Sequence, residues 1–326
     1  MNRHTLVEHL SQPPHHAPRP WWPPLRRALT GVFLVGVAAL LAALARRIDW
    51  DEVLDVIAGY PAASILAAGV IAACSHAVYT GYDLVGRAWT SHRLPAWKVV
   101  AVAFVSNAFT LNLGTMVGGV GFRFRLYSRL GLSNAVISRV VGLSMATNWL
   151  GYLVIAGAVF AWGVIVPPPG WEIGATALRI VGALMLLAGT AYLVVCHRSK
   201  RREWTLRGHE ISLPPLRLAA MQIALSCLNW ALMAAIIFVL MQGRASYPTV
   251  LGVLLIGAVA GAAAHIPAGL GVLEAVFIAL LVPPLKHSEV LGALIGYRAI
   301  YYLAPLVLGC GVYLWLEAMA RRDTAR

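Results

Sequence analysis

Long runs of apolar residues alternate with short polar segments along the whole chain. A helix that crosses a membrane needs ~20 mostly apolar residues, because the hydrocarbon core is ~30 Å thick. Six of the apolar runs suit one such helix each, at residues 28–45, 61–84, 140–166, 177–196, 218–241 and 290–316. Glycine, proline or polar residues interrupt two further apolar segments, at 99–120 and 250–282.

The segment 250–282 is too long for one span and too short for two. Its middle contains His265, Pro267, Gly269 and Gly271, a combination that interrupts a helix. At ~1.5 Å per residue, its two arms reach only about 24 Å and 17 Å. We therefore predict a re-entrant hairpin, which enters the membrane, turns near the midplane and leaves on the same side. Non-helical backbone at that depth needs burial in protein or a polar cavity.

Composition also indicates a polytopic membrane protein. The chain has 326 residues, of which 60% are hydrophobic and 12% are charged. The longest polar stretch, 196–217, is expected to be a loop. A net charge of +13 would suggest nucleic acid in a soluble protein. In a membrane protein, such a positive charge marks the cytoplasmic loops and attracts anionic lipid head groups. No nucleic-acid partner is therefore expected. The four cysteines have no metal-ligand spacing and are interpreted as core residues.

Charge divides the connections between the apolar segments into two classes. Lysine and arginine predominate at 85–98, 121–139 and 197–217, whereas the other connections are acidic or weakly charged. The positive-inside rule places the basic connections in the cytoplasm. Two consecutive basic connections flank 99–120, so we predict that this segment is a second re-entrant hairpin. The alternative is an ordinary spanning helix with one loop on the unexpected side.

Polar residues and glycines within 99–120 provide the interruptions that a hairpin needs; they are Ser106, Asn107, Asn112, Gly114, Gly118 and Gly119. The predicted fold is an all-α polytopic bundle of six spanning helices and two opposed hairpins. The order helix–hairpin–helix occurs twice, in 61–166 and 218–316, with opposite orientation, as in an inverted-topology repeat. Gly119-Val120-Gly121 and Gly269-Leu270-Gly271 occupy matching positions in the two halves.

We assign the transmembrane domain to 28–318 and predict a polar tail on each side of it. Residues 1–27 are rich in proline and histidine and are predicted to be a disordered cytoplasmic tail. Residues 319–326 are predicted to form a second cytoplasmic tail. The apolar segment 28–45 ends in a sequence that resembles a signal-peptidase site. It is longer than the ~7–15 apolar residues of a signal peptide, so we predict an uncleaved anchor.

Three elements in this order and spacing resemble one known family. They are 118–133 with Gly118, Gly119, Gly121 and Arg123, 265–275 with Pro267, Gly269, Gly271 and Glu274, and 297–306 with Arg298 and Pro305. The resemblance covers about 28–318 and is to the transmembrane region of lysylphosphatidylglycerol synthases, most closely the YbhN-like inner-membrane branch. One departure is Ala268, where many members have a second glycine, so this turn is less permissive.

The resemblance implies a flippase-like membrane domain in a bacterial inner membrane. In some members this domain precedes a soluble aminoacyl transferase and moves the modified lipid between leaflets. The resemblance identifies neither the head group, nor the direction, nor the energy source.

Ionisable groups inside a membrane are costly unless they are paired or hydrated, so each is a functional candidate. Glu274 and Arg298 are predicted to form an ion pair, with either a structural or a substrate-coupled role. Asp83 and Arg87 lie one helical turn apart and are expected to pair locally.

Polar groups near the two breaks complete the candidate set. Arg123, Arg125 and Arg129 are expected near the cytoplasmic interface, as ligands for a lipid phosphate or as topology determinants. Asn107 and Asn112 are candidates for lining a polar cavity, and His265 is the best placed histidine.

An enzyme is not expected, because the chain contains no nucleophile elbow, no metal-spaced cluster and no phosphate-binding loop. No cofactor or metal is predicted. The preferred function is transport of an anionic phospholipid or a lipid-linked substrate. The alternatives are a non-transporting partner of a phospholipid-synthesis enzyme, such as a cardiolipin synthase, and a secondary transporter of a small anion.

Overall fold

A computed structural model describes residues 58–165, 174–199, 203–206, 209–264, 269–282 and 285–324, together with Arg46 and Asp55. The predicted tail 1–27 and the predicted anchor 28–45 lie outside the described residues, as do His265 and Pro267.

Long helices make up most of the described chain. They are α1 Ala62–Thr90, α2 Ala96–Leu113, α3 Phe122–Arg129, α4 Asn134–Ala161, α5 Ala175–Arg198, α6 Leu216–Leu240, α7 Tyr247–Ala264, α8 Val272–Leu281, α9 His287–Tyr297 and α10 Ala304–Thr324. Two π-helical segments interrupt them, π1 Thr115–Gly121 and π2 Arg298–Leu303. Within the described part of the chain, seven helices are long and apolar enough to cross a membrane. The prediction of an all-α, polytopic membrane protein is therefore confirmed.

Local sequence explains where several helices begin and end. Pro61 precedes α1, and Ser91 ends it in the left-handed region with φ 53°. The hydroxyl of Ser133 caps α4 by accepting a hydrogen bond from the backbone N–H of Val136. A short antiparallel pair of strands, β1 Glu203–Leu206 and β2 His209–Ser212, lies in the basic connection that was expected to be a loop.

The predicted hairpin at 99–120 begins with α2, whose 18 residues span about 27 Å. Gly114 ends α2 with φ 84°, a backbone conformation that favours glycine. The chain then reverses through π1 and α3 and packs back along α2. A Cβ atom on Gly118 would lie 2.1 Å from the backbone nitrogen of Thr110, so only glycine fits this approach.

Both ends of this first hairpin lie against the same part of α10. The rings of Trp97, at the start of α2, and Trp315 have centroids 5.6 Å apart. Arg129, at the end of α3, forms a salt bridge with Glu317. The hairpin therefore starts and finishes at one end of the bundle.

The second predicted hairpin consists of α7 and α8. A Cβ atom on Gly257 would lie 2.7 Å from the side chain of Leu273, so α8 packs back closely against α7. Gly269 and Gly271, at the end of the break, have φ values of 57° and 80°. These positive φ values explain why glycine occupies both positions.

The depth of the two hairpins in the bilayer and their inverted repeat stay predictions. Labelling of single cysteines tests them, with Ala96→Cys and Ala135→Cys in a background without the native cysteines. Both positions are exposed and flank the first hairpin. We expect an impermeant maleimide to label both from the cytoplasmic side, and a Trp162→Cys control from the opposite side. Labelling of Ala96→Cys and Ala135→Cys from opposite sides would refute the re-entrant topology.

Candidate functional site

A buried ion pair joins the first hairpin to α1. Arg123 Nε donates to Asp83 Oδ2 at 3.0 Å, and Nη2 donates to Oδ1 at 3.1 Å. Their side chains are 3% and 0% exposed. The Tyr127 hydroxyl also donates to Asp83, at 2.8 Å. The carboxylate is thus satisfied by two residues of α3.

Two expectations from the sequence are wrong at this point. Asp83 pairs with Arg123 and not with Arg87, whose Nε donates to the carbonyl of Leu94. Arg123 does not lie free near the interface, because α3 packs its side chain into the protein. The sequence did contain a signal for this ion pair. Asp83 lies inside an apolar run, and a charged group inside the membrane requires a partner.

Arg125 and Arg129 share one acceptor on α10. Arg125 Nε donates to the Tyr313 hydroxyl at 2.9 Å and to Glu317 Oε1 at 3.1 Å. Arg129 donates to the other carboxylate oxygen of Glu317. The two arginines and Glu317 form one cluster, at the end of the bundle where the first hairpin begins and ends.

The second ion pair has the predicted partners. Arg298 Nε donates to Glu274 Oε1 at 2.6 Å, and Nη2 donates to Oε2 at 3.0 Å. The backbone N–H of Gly271 also donates to Glu274 Oε2, at 2.9 Å, so the same carboxylate caps α8. This pair connects the second hairpin to π2, and its side chains are 14% and 20% exposed.

The two ion pairs resemble each other in one further contact. Arg123 Nη1 donates to the carbonyl of Gly119, and Arg298 Nη2 donates to the carbonyl of Gly269. Each arginine therefore satisfies a backbone oxygen at the glycine-rich turn of a hairpin. Because unpaired backbone groups are costly in a membrane, these contacts stabilise the irregular turns.

A layer of buried polar groups lies between α1, α2 and π2. Asn107 Nδ2 lies 3.1 Å from His76 Nδ1, and His76 Nε2 lies 3.3 Å from the carbonyl of Tyr301. Since a carbonyl only accepts, these contacts correspond to a neutral imidazole that carries its proton on Nε2. Asn112 Nδ2 donates to the carbonyl of Tyr302 at 3.1 Å.

The same layer extends to α6. Ser75 Oγ donates to Asn229 Oδ1 at 2.8 Å and lies 3.0 Å from the Tyr301 hydroxyl. Sequence reasoning found Asn107 and Asn112 but missed the members contributed by α1, π2 and α6. A histidine within the apolar run 61–84 was the signal for His76, because polar groups are rare inside membrane spans.

Two cavities lie on either side of this layer. The first has a volume of about 690 Å³, is almost entirely apolar and is lined by α1, α2, π2 and α10. Two of its lining residues, Val100 and Leu308, are exposed on the outside of the bundle. The second cavity, of about 190 Å³, has a more polar lining than the first and lies between α2, π1, α4 and α6; we call it the polar cavity. His76 lines the first cavity and its hydrogen-bond partner Asn107 lines the second.

The other predicted residues are distributed as follows. Gly118 and Gly119 are buried where π1 packs on α2, and Gly121 ends π1. Gly119 and Arg123 also line the polar cavity, together with Asn107. The predicted set is therefore divided among two ion pairs, the polar cavity and the cluster around Glu317.

Comparison with known proteins agrees with this architecture. Residues 29–309 match the model of the lysylphosphatidylglycerol synthase transmembrane region. The chain belongs to this family. It is 42% identical to the inner membrane protein YbhN of Escherichia coli, over 94% of this chain and 97% of that protein. It is therefore a multi-pass protein of the inner membrane.

Two further relatives are less similar in sequence. An uncharacterised protein of Synechocystis is 29% identical over 84% of this chain and 86% of its own length. A phosphatidylglycerol lysyltransferase of Staphylococcus haemolyticus is 22% identical over 87% of this chain. The match covers 33% of that longer enzyme, so the shared part is a membrane region.

Proposed function

We propose that this protein binds a membrane lipid through its acyl chains in the apolar cavity and moves the lipid head group between leaflets through the polar layer. The observation that carries this proposal is the apolar cavity of about 690 Å³, which opens to the side of the bundle, where lining residues of α1, α2 and α10 are exposed. Ligands that reside in the bilayer reach such an opening without passing through water. Hydrocarbon chains suit it because its lining is almost entirely apolar.

The adjoining polar cavity supports transport of a lipid over transport of a small anion. A small-anion carrier needs a closed polar site with available positive charge. Arg123 is the charged residue among those that line the polar cavity, and Asp83 neutralises it. The lateral apolar cavity would also serve no purpose for a small anion.

Transport of the head group requires the polar layer to open. In this structure the contacts of His76 with Asn107 and Tyr301 separate the two cavities. We propose that movement of the first hairpin relative to π2 rearranges these contacts. A π-helical segment such as π2 suits this role, because π-helices are less regular and often occur at functional sites. The protein would then act without a catalytic step.

Filling the apolar cavity tests the proposal. Gly69 lines it, and a Cβ atom there would contact nothing within 4 Å, so a large side chain can extend into the space. We expect Gly69→Trp to slow exchange of fluorescent phospholipids between leaflets by about tenfold or more, equivalent to ~1.4 kcal/mol. Quenching by dithionite in proteoliposomes measures this exchange.

The matched control is Gly142→Trp, because Gly142 is exposed and, like Gly69, is helical and free of neighbours that a Cβ atom would meet. It should exchange lipids at the wild-type rate. Equal rates for Gly69→Trp and wild type, with both proteins folded, would contradict the proposal. A different result would favour the alternative function, a non-transporting partner of a phospholipid-synthesis enzyme. In that case the wild-type protein would exchange none of the phospholipids and would co-purify with a lipid synthase.

A further inference from the structure

The imidazole of His76 lies at the boundary between the two cavities, near the middle of α1. Its side chain is 5% exposed and lines the apolar cavity. Asn107, whose Nδ2 is 3.1 Å from His76 Nδ1, lines the polar cavity. On the π2 side, the Tyr301 carbonyl lies 3.3 Å from Nε2, and the two ring centroids are 4.8 Å apart. The imidazole thus joins α1, α2 and π2 within the layer that separates the cavities.

The neutral ring uses its two nitrogens differently. Nε2 donates to the carbonyl of Tyr301, and Nδ1 accepts from the amide of Asn107. A glutamine side chain also has donors and an acceptor, so these two contacts do not by themselves require a histidine. The property that an imidazole adds is the uptake of a proton near physiological pH.

Few charges surround this ring. Among the described residues that line the two cavities, the other titratable or charged side chains are Tyr79 on α1, Arg123 on α3 and Tyr301 on π2. The described lining residues of α2, α4, α6 and α10 include no such group. Asp83 on α1 neutralises Arg123 at 3.0 Å, and Arg298 on π2 pairs with Glu274. Tyrosine titrates only near pH ~10, so among these lining groups His76 is the one that can gain charge in mild acid.

Protonation changes what the ring offers to its neighbours. A proton from water in the polar cavity would bind the lone pair of Nδ1, while Nε2 keeps its own proton. Both nitrogens then donate, so the N–H of Asn107 loses its acceptor. Even when the amide turns its oxygen toward the ring, the imidazolium still lies against an apolar cavity without a counter-charge. Because a buried unpaired charge is costly, the charged ring favours an arrangement in which water reaches it.

We infer that His76 is a proton-binding site that couples lipid movement to protonation. The neutral ring closes the layer between the two cavities, and the charged ring opens it. The coupling to lipid movement rests on the proposed function, whereas the binding of the proton rests on the geometry of the layer alone. The pH of the compartment that supplies the proton would then set how often the layer opens.

Nuclear magnetic resonance of the full-length protein in nanodiscs tests the proton site without any transport. The probe is histidine with ¹⁵N at both ring nitrogens, and the signals that disappear in His76→Gln identify His76. At about pH 8 we expect a neutral ring that carries its proton on Nε2. At about pH 4, near the lower end of histidine titration in proteins, we expect protons on both nitrogens.

Leaflet exchange of fluorescent phospholipids as a function of pH tests the coupling. Back-extraction with albumin measures it, because dithionite decomposes in acid. We expect exchange by the wild-type protein to rise by about tenfold or more from about pH 8 to about pH 4, as expected for one protonated site that opens the layer. The variant His76→Gln retains a donor and an acceptor but does not titrate, so its exchange should stay at the slow rate and change by less than about twofold.

The control is His287→Gln, because His287 is an exposed histidine at the start of α9 and lines neither cavity. It should show the same dependence on pH as the wild-type protein. Size exclusion reports whether each variant is folded. If His76→Gln does not fold, His76→Asn replaces it in both experiments.

The outcomes separate this inference from the proposed function. A His76 ring that stays neutral at about pH 4 would overturn the proton site. Exchange that is independent of pH in the wild-type protein, or equally dependent on pH in His76→Gln, would overturn the coupling and retain lipid transport. Protonation of His76 without leaflet exchange at any pH would retain the proton site and reject both transport and coupling.

Discussion

Asp83→Asn is expected to reduce the free energy of unfolding by ~3–5 kcal/mol, the usual cost of leaving one buried charge without its partner. The change removes the carboxylate that neutralises Arg123, while Arg123 itself remains buried between α1 and α3. It also weakens the acceptor of the Tyr127 hydroxyl. Folded yield after detergent extraction, and the midpoint of thermal unfolding followed by fluorescence-detected size exclusion, measure the effect.

The double change Asp83→Asn with Arg123→Gln should recover part of the loss, since it removes both charges together. Arg87→Gln is the matched control, because Arg87 lies one turn from Asp83 but contacts the carbonyl of Leu94. We expect it to change stability little. A loss of stability for Arg87→Gln as large as that for Asp83→Asn would show that Asp83 pairs with Arg87. It would contradict the ion pair between Asp83 and Arg123.

Glu274→Gln and Arg298→Gln are each expected to lower stability by ~1.5–3 kcal/mol, the range of hydrogen bonds to charged groups. The effect should be smaller than for Asp83→Asn, because this second pair is partly exposed. Glu274→Gln also alters the contact of the carboxylate with the backbone N–H of Gly271 at the start of α8. The double variant should fold better than the sum of the two single losses predicts.

Activity of the double variant separates two roles of the Glu274–Arg298 pair. If the pair only holds the second hairpin against π2, leaflet exchange should return together with folding. If the pair contacts the substrate, folding should return without exchange. The pair Arg244–Glu289, at 3.7 Å and more exposed, is the control and should contribute at most ~1 kcal/mol. Strictly additive losses for Glu274 and Arg298 would show that the two side chains do not interact.

Much of the architecture could be predicted because the bilayer imposes lengths on the chain. The predicted spans 61–84, 140–166, 177–196 and 218–241 correspond to α1, α4, α5 and α6, with ends that shift by up to several residues. The last span, 290–316, is divided by π2, which hydropathy does not reveal. The positions of the two turns were also predictable, since glycine and proline interrupt helices whatever surrounds them.

The candidate site was predictable where the sequence offered few charged partners. Glu274 follows the second break, and Arg298 was the intramembrane cation available to it, so their pairing could be inferred. The partner of Asp83 could not. The spacing in sequence favoured Arg87, which lies on the same helix. In the structure, α3 packs back against α1 and brings Arg123, 40 residues away in sequence, to the carboxylate of Asp83. Such a choice depends on packing between helices.

The sequence by itself determined the class of protein, the spans that became α1, α4, α5 and α6, and the glycine-rich turns, because these follow from apolar length, charge and backbone freedom in short segments. Only the tertiary structure decided which polar groups meet. Ser75, His76, Asn107, Asn229 and Tyr301 come from four separate helical elements, and their hydrogen bonds form one layer between two cavities. The physical reason is that a buried polar group must be satisfied, but several partners can satisfy it. The helix packing selects one of them.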